Sequence, residues 1–234
     1  MKLNVARGDF LRELVLHLKP ALQLQTALDV GCGFGYLSAV LRDTGLKVTA
    51  FDGRPENVEE ARKRVPDVLF SVGDIESPEV RQLGKFDLVV CFGLLYHLEN
   101  PFQAVRNLHH LTEGVIVLES MCLPGNAPSM LLLDEGPTPD QGLQHVGFYP
   151  SEPCITKMCF RAGFPYLYRS SAPPKHTHFR SSLWTSRQRT VLLASRTSLE
   201  SALLIPMGDV GNPADPWRKY PAKLASWIRV RWGS

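Results

Sequence analysis

A chain of 234 residues with 44% hydrophobic and 21% charged side chains suffices for one well-packed α/β domain, and is too short for two ordinary domains and a linker. No apolar run reaches the roughly 18–20 residues of a bilayer-spanning helix, and the opening Met1–Asp9 has no apolar signal core, so a cytoplasmic protein is expected. The net charge of +3 conceals a split: residues 1–152 carry 13 basic and 20 acidic side chains (−7), residues 153–234 carry 13 and 3 (+10). That basic third is either a solvated face or a surface for anionic partners, nucleic acid included. Five scattered cysteines without a C-x-x-C pair argue against a disulfide framework or an all-cysteine zinc site.

Asp9 to Leu18 reads as an amphipathic helix, with Phe10, Leu14 and Leu18 on one stripe and Pro20 as its stop. Thr26–Val30 is a first strand running into glycines. Tyr36–Asp43 is helical, Lys47–Asp52 a second strand, and Glu56–Arg64 a charged helix opened by Pro55. Val68–Val72 and Phe86–Phe92 follow as strands, Pro101–Leu111 as a helix, and Gly114–Ser120 as a fifth strand. Near-continuous apolar strands alternating with helices predict a parallel sheet covered on both faces. Residues 121–150, rich in proline and glycine, break the rhythm and read as a lid-like insertion or acceptor-site wall. Ser151–Gly163 is a capped helix, and Pro165–Ser171 and Gln188–Ser195 are two last strands. From Thr197 the chain reads as a basic tail carrying Trp217, Trp227 and Trp232.

The strongest motif is Leu28-Asp29-Val30-Gly31-Cys32-Gly33-Phe34-Gly35-Tyr36. A strand entering G-x-G-x-G and then a helix lets backbone pass close to a ligand, because glycine has no Cβ to collide with it. Alone the motif also suits dinucleotides or a ligand-free turn. Asp52, 21 residues after Gly31, ends the next strand, where a carboxylate can accept from both hydroxyls of a ribose. Asp74-Ile75 ends the third strand, offering an acid for an adenine amino group and an apolar cover for its ring. The fourth strand opens into Gly93-Leu94-Leu95-Tyr96-His97-Leu98-Glu99-Asn100-Pro101.

In these motifs, spread over about residues 25–120, the chain resembles the class I S-adenosylmethionine-dependent methyltransferases. The resemblance implies a Rossmann-like, seven-stranded, mostly parallel sheet with helices on both faces and the last strand antiparallel. It implies a methyltransferase domain over 1–196, with its N-terminal helix in 1–24, and a C-terminal tail over 197–234. Asp29, Gly31 and Gly33 then border the methionine part of the cofactor, Asp52 holds the ribose, Asp74 and Ile75 the adenine, and Phe92 lies near the sulfonium. Cys32 and Gly53 fall in the same cofactor-binding set. The Leu94–Leu98 block with Asn100-Pro101, and later Gly147–Ser151, is also similar to the tRNA wobble-uridine carboxymethyltransferases, which carry a substantial N-terminal domain; here about 25 residues precede the first strand.

Methyl transfer from a sulfonium is an in-line displacement, so holding the acceptor is most of the work; a base matters only where the acceptor must lose a proton. His97 and Tyr96 are the catalytic candidates, against the alternatives of turn anchor and plain packing. Glu119, His145, Tyr149 and Arg180 are candidates for the acceptor pocket. His176 and His178 lie two apart without two further ligands, so no metal is expected. The favoured reading is methylation of an oxygen or nitrogen of a small molecule. Its alternatives are RNA (tRNA) modification through the basic C-terminal third and its tryptophans, and a non-catalytic cofactor-binding partner subunit.

Overall fold

The computed structural model describes residues 2–136, 138, 141–181 and 188–207. In chain order its elements are α1 (Leu3–Leu22), β1 (Thr26–Val30), α2 (Tyr36–Asp43), β2 (Lys47–Asp52), α3 (Pro55–Arg64), β3 (Leu69–Val72), β4 (Phe86–Phe92), α4 (Pro101–Leu111) and β5 (Thr112–Met121). There follow β6 (Met130–Asp134), β7 (Val146–Pro150), α5 (Glu152–Ala162), β8 (Tyr166–Ser170), β9 (Arg189–Ser195) and β10 (Leu204–Met207). The main sheet has the order β10-β8-β9-β5-β4-β1-β2-β3. β3, β2, β1, β4 and β5 are parallel neighbours, and β9 runs antiparallel to both β5 and β8. All the strand ends that carry motifs therefore meet on one edge.

Two apolar layers flank the sheet. One joins Phe10, Leu11 and Leu14 of α1 to Val40 and Leu41 of α2 and Val58 of α3. The other joins Val105, Leu108 and Leu111 of α4 to Ile155 and Met158 of α5. Asp87, inside the F-D-x-V block, fastens β4 to β1 at the opposite edge from the glycine turn. Its Oδ2 accepts from the backbone N–H of Gln25 and Thr26 and from the Thr26 hydroxyl, each at 2.9 Å. Partial burial raises this carboxyl, but the three donors outweigh it and hold Asp87 below the usual carboxylate range.

Three expectations need correction. Among the described residues the sheet has eight strands rather than seven, because Leu204–Met207 pairs antiparallel with β8. Pro206 disguises this strand in sequence; a proline cannot donate to a ladder and is accommodated here on an edge. The helix read over 9–18 begins at Leu3 and runs through Pro20 to Leu22. A proline in the last turn forfeits one rung of hydrogen bonding, and the helix ends instead at Gln23, in a left-handed conformation with φ 52°. Residues 121–150 also contain a hairpin, β6 with β7. Among the described residues no helix is long and apolar enough to cross a membrane.

Candidate functional site

At the carboxyl ends of β1 to β4 lies a cavity of about 190 Å³. Its floor begins at the glycine turn. Gly31 (φ 71°) and Gly33 (φ 52°) are both left-handed, and a Cβ on Gly33 would meet nothing within 4 Å. The turn thus presents open space to a ligand where a side chain would intrude. Asp52, 8% exposed, stands beside it. Its Oδ2 accepts from the Gly33 N–H at 2.8 Å, and its Oδ1 from the Arg54 N–H at 3.0 Å and the Asn57 amide at 2.9 Å. These donors fix the carboxylate's orientation and leave acceptor capacity for hydroxyls on the cavity side.

Gly53, Asp74 and Ile75 continue the wall, as does Glu76. Asp74 is exposed and accepts from the Glu76 N–H at 2.9 Å, while Ile75 is 2% exposed and offers an apolar face. Glu76 accepts from the backbone N–H groups of Glu99 and Asn100, tying β3 to the start of α4; partial burial raises its carboxyl. Asp29, Cys32 and Phe92, expected at the cofactor, do not line the cavity and are buried. Asp29 accepts from the Ser38 hydroxyl at 2.6 Å, so it fastens β1 to α2 and supports the glycine turn from below.

The insertion forms the roof. Gln141, Gly142, Leu143 and Gln144 line the cavity opposite Gly53 and Leu94. Two attachments hold them there. Arg54 donates to the Gln141 carbonyl at 3.0 Å, and Glu135 lies against Nδ1 of His97 at 2.7 and 2.8 Å while accepting from the Gly142 N–H at 2.7 Å. Glu135 is nearly enclosed, its side chain 3% exposed. Contact is close enough that a Cβ on Gly142 would collide with the His97 carbonyl oxygen, and one on Gly147 would come within 2.5 Å of that of Tyr96. His97 itself lines the cavity.

Behind the β4 loop lies a buried cluster of Glu119 with two arginines. Glu119 is fully buried, with Arg7 at 2.6 Å on one oxygen and Arg189 at 3.0 Å on the other. Arg189 also donates to the Tyr96 hydroxyl at 3.0 Å, and Tyr96 packs against His97 and edge-on to Tyr149. Two guanidinium groups against one carboxylate leave a net positive charge beside Gly93, whose Cβ would lie 3.1 Å from Arg7. Glu119, Tyr96 and Tyr149 are therefore joined, one layer behind the cavity surface. His145 is exposed at φ 57° and Arg180 is exposed beyond Phe179; neither lines the cavity. His176 and His178 pack edge to face, and no group of three metal-binding side chains occurs among the described residues. Trp217, Trp227 and Trp232 lie outside the described residues.

Sequence reasoning missed Arg7, Arg54, Glu135 and Arg189. Arg54 follows the strand-two acid directly, and that proximity was a usable signal. The other three reach the site only through tertiary packing.

Residues 28–117 match the model of a methyltransferase domain family. The chain is 31% identical over 166 residues to a tRNA U34 carboxymethyltransferase of Actinobacillus succinogenes, covering 68% of this chain and 50% of that protein. It is 36% identical over 108 residues to a ubiquinone biosynthesis O-methyltransferase of Xanthomonas campestris, covering 44% and 43%. The chain thus spans about half the length or less of these relatives. Among solved structures, the N-terminal domain of EvdMO1 with SAH bound superimposes with a TM-score of 0.63 at 21% identity, over 79% of this chain and 80% of that one. SAM-bound CalS10, an amino pentose methyltransferase from Micromonospora echinaspora, gives 0.58 at 20% identity, over 84% and 92%. These two likenesses are of fold. Residues 28–117 thus match a methyltransferase domain, and the chain as a whole shares the Rossmann-like fold of these SAM- and SAH-bound structures.

Proposed function

We propose that this protein transfers a methyl group from S-adenosylmethionine to an oxygen or nitrogen of a small-molecule acceptor, in the cytoplasm. The observation that carries the reading is the roofed cavity. The insertion is fastened down over the glycine turn and Asp52 by Arg54 and by the His97–Glu135 contact, which leaves a partly covered cavity rather than a flat surface. When bound, the cofactor supplies an electrophilic methyl on a sulfonium. Asp52 receives the ribose hydroxyls, Gly31 and Gly33 admit the chain of the methionine part, and Asp74 with Ile75 receives the adenine. The roof excludes water and orients the acceptor, the main requirement of an in-line displacement. Residues 1–196 act as one methyltransferase domain, with β10 extending its sheet from the following segment.

Calorimetry with S-adenosylmethionine and S-adenosylhomocysteine tests the cofactor, and release of S-adenosylhomocysteine on adding a small-molecule fraction of cell extract tests turnover. Asp52→Ala is expected to weaken binding by about 10²-fold, since a charge-assisted hydrogen bond contributes on the order of 1.5–3 kcal/mol. Absence of heat with both ligands overturns the reading, and binding without turnover favours a non-catalytic subunit.

A second reading, carboxymethyl transfer to tRNA, is supported by the longer of the two sequence matches and by the net positive charge of Arg7 and Arg189 beside Gly93. An anionic group on the transferred carbon would be favoured there. Tighter binding of the carboxylated cofactor than of S-adenosylmethionine, with salt-sensitive tRNA binding, would select it.

A further inference from the structure

We infer that Glu135 is a positioning residue that fixes the ring of His97 with Nε2 as a proton acceptor at the cavity, and that the acceptor is therefore a hydroxyl compound such as a phenol. The inference rests on the proposed methyl transfer and deepens it. Both Glu135 oxygens lie within 2.8 Å of Nδ1 of His97, and the Glu135 side chain is only 3% exposed. A carboxylate accepts hydrogen bonds, so Nδ1 carries a proton, and whenever the ring holds a single proton Nε2 is the nitrogen left free to accept. Among the described residues Nε2 has no hydrogen-bond partner, while His97 is one of the residues lining the cavity and its side chain is 12% exposed. The second oxygen of Glu135 is committed to the Gly142 N–H at 2.7 Å, which prevents the carboxylate from turning away.

Such an arrangement is superfluous for a neutral amine, which attacks through its lone pair and sheds its proton afterwards. A hydroxyl of high pKa gains from losing its proton as it reacts. The proton passes to Nε2 while the oxygen bonds to the methyl carbon; the carbon–sulfur bond breaks and its electron pair stays on sulfur. The imidazolium then lies beside the Glu135 carboxylate, and its Nε2 proton leaves to solvent with product release.

Glu135→Gln provides the test. Its amide oxygen stays with the Gly142 N–H, which puts its NH2 in place of the oxygen 2.7 Å from Nδ1; a donor there opposes an Nδ1 proton and favours the Nε2–H tautomer. A wrong-tautomer substitution of this type costs about 10⁴-fold in a catalytic triad. Nitrogen-15 spectra of the protein without cofactor should show His97 as the Nδ1–H tautomer in the parent and the Nε2–H tautomer in Glu135→Gln, with Glu135→Asp resembling the parent. The parent as Nε2–H, or no change in Glu135→Gln, overturns the positioning role whatever the activity. Incubation of the parent with methyl-¹³C cofactor and the small-molecule fraction of cell extract then reads the product bond. An O–CH3 resonance that falls at least 10²-fold in Glu135→Gln is expected, and an N–CH3 product overturns the hydroxyl assignment. No methylated product at all overturns the small-molecule methyl-transfer reading instead, and the tautomer result still decides the role of Glu135.

Discussion

Asp29 sits 1% exposed at the centre of the sheet, and its carboxyl is pushed up to about 6 from 3.8, chiefly by burial, with the Ser38 hydroxyl pulling the other way. The folded state therefore holds the Asp29 proton more tightly than the unfolded chain does. Its contribution to stability is fully present below pH 3.8 and is lost as pH rises through about 6. Two units correspond to about 3 kcal/mol. Asp29→Asn keeps an acceptor for Ser38 and removes the titration. Urea denaturation of that variant should show stability gaining on the parent by up to about this amount between pH 4 and 7. The acid was legible in the sequence as part of the glycine motif, but its work was not. A strand-end carboxylate that touches ligand and one that fastens a helix beneath the turn look alike in sequence, and only the facing serine separates them.

Among the elements, the insertion shows most plainly what sequence can and cannot give. Its proline and glycine content reads as a lid or acceptor-site wall; in the structure residues 141–144 are among those lining the cavity. The hairpin inside it stayed hidden because β6 is the short run Met130–Asp134, largely exposed, and eleven residues of turn signals separate it from its partner. Glu135, one residue past that strand, had no pattern to mark it; its role depends on where the hairpin lands. The roof's fit rests on backbone against backbone. In Gly142→Ala the added methyl strikes the His97 carbonyl, which is held in place by the turn after β4. The expected outcome is cofactor affinity lowered about tenfold or more, which at about 1.4 kcal/mol is the lower end of an overpacking cost. Cleavage by a dilute protease within 135–147 should quicken in the same variant, with little change in the urea midpoint.

For the molecule as a whole, the parallel half was readable because each strand announced itself by an apolar run and a terminal motif. The antiparallel edge was read less completely, since Pro206 masked the strand that closes it. The ladder between β5 and β9 joins the two halves, and Glu119 of β5 adds a tie, held between Arg7 of α1 and Arg189 of β9. Glu119→Leu leaves two guanidinium groups buried without their counter-ion, so a loss of about 3–5 kcal/mol is expected in equilibrium urea unfolding. Glu119→Gln, still an acceptor, should lose less.

This three-way union has a consequence for synthesis. A ribosome delivers position 7 before position 119, and position 119 before position 189. Until the last of these emerges, Glu119 has only one of its two counter-ions, and Tyr96 lacks the donor that steadies it beside His97. The proposed reactive centre is thus completed only once position 189 has been made, so a fragment released before it carries the glycine turn without the support behind Tyr96 and His97.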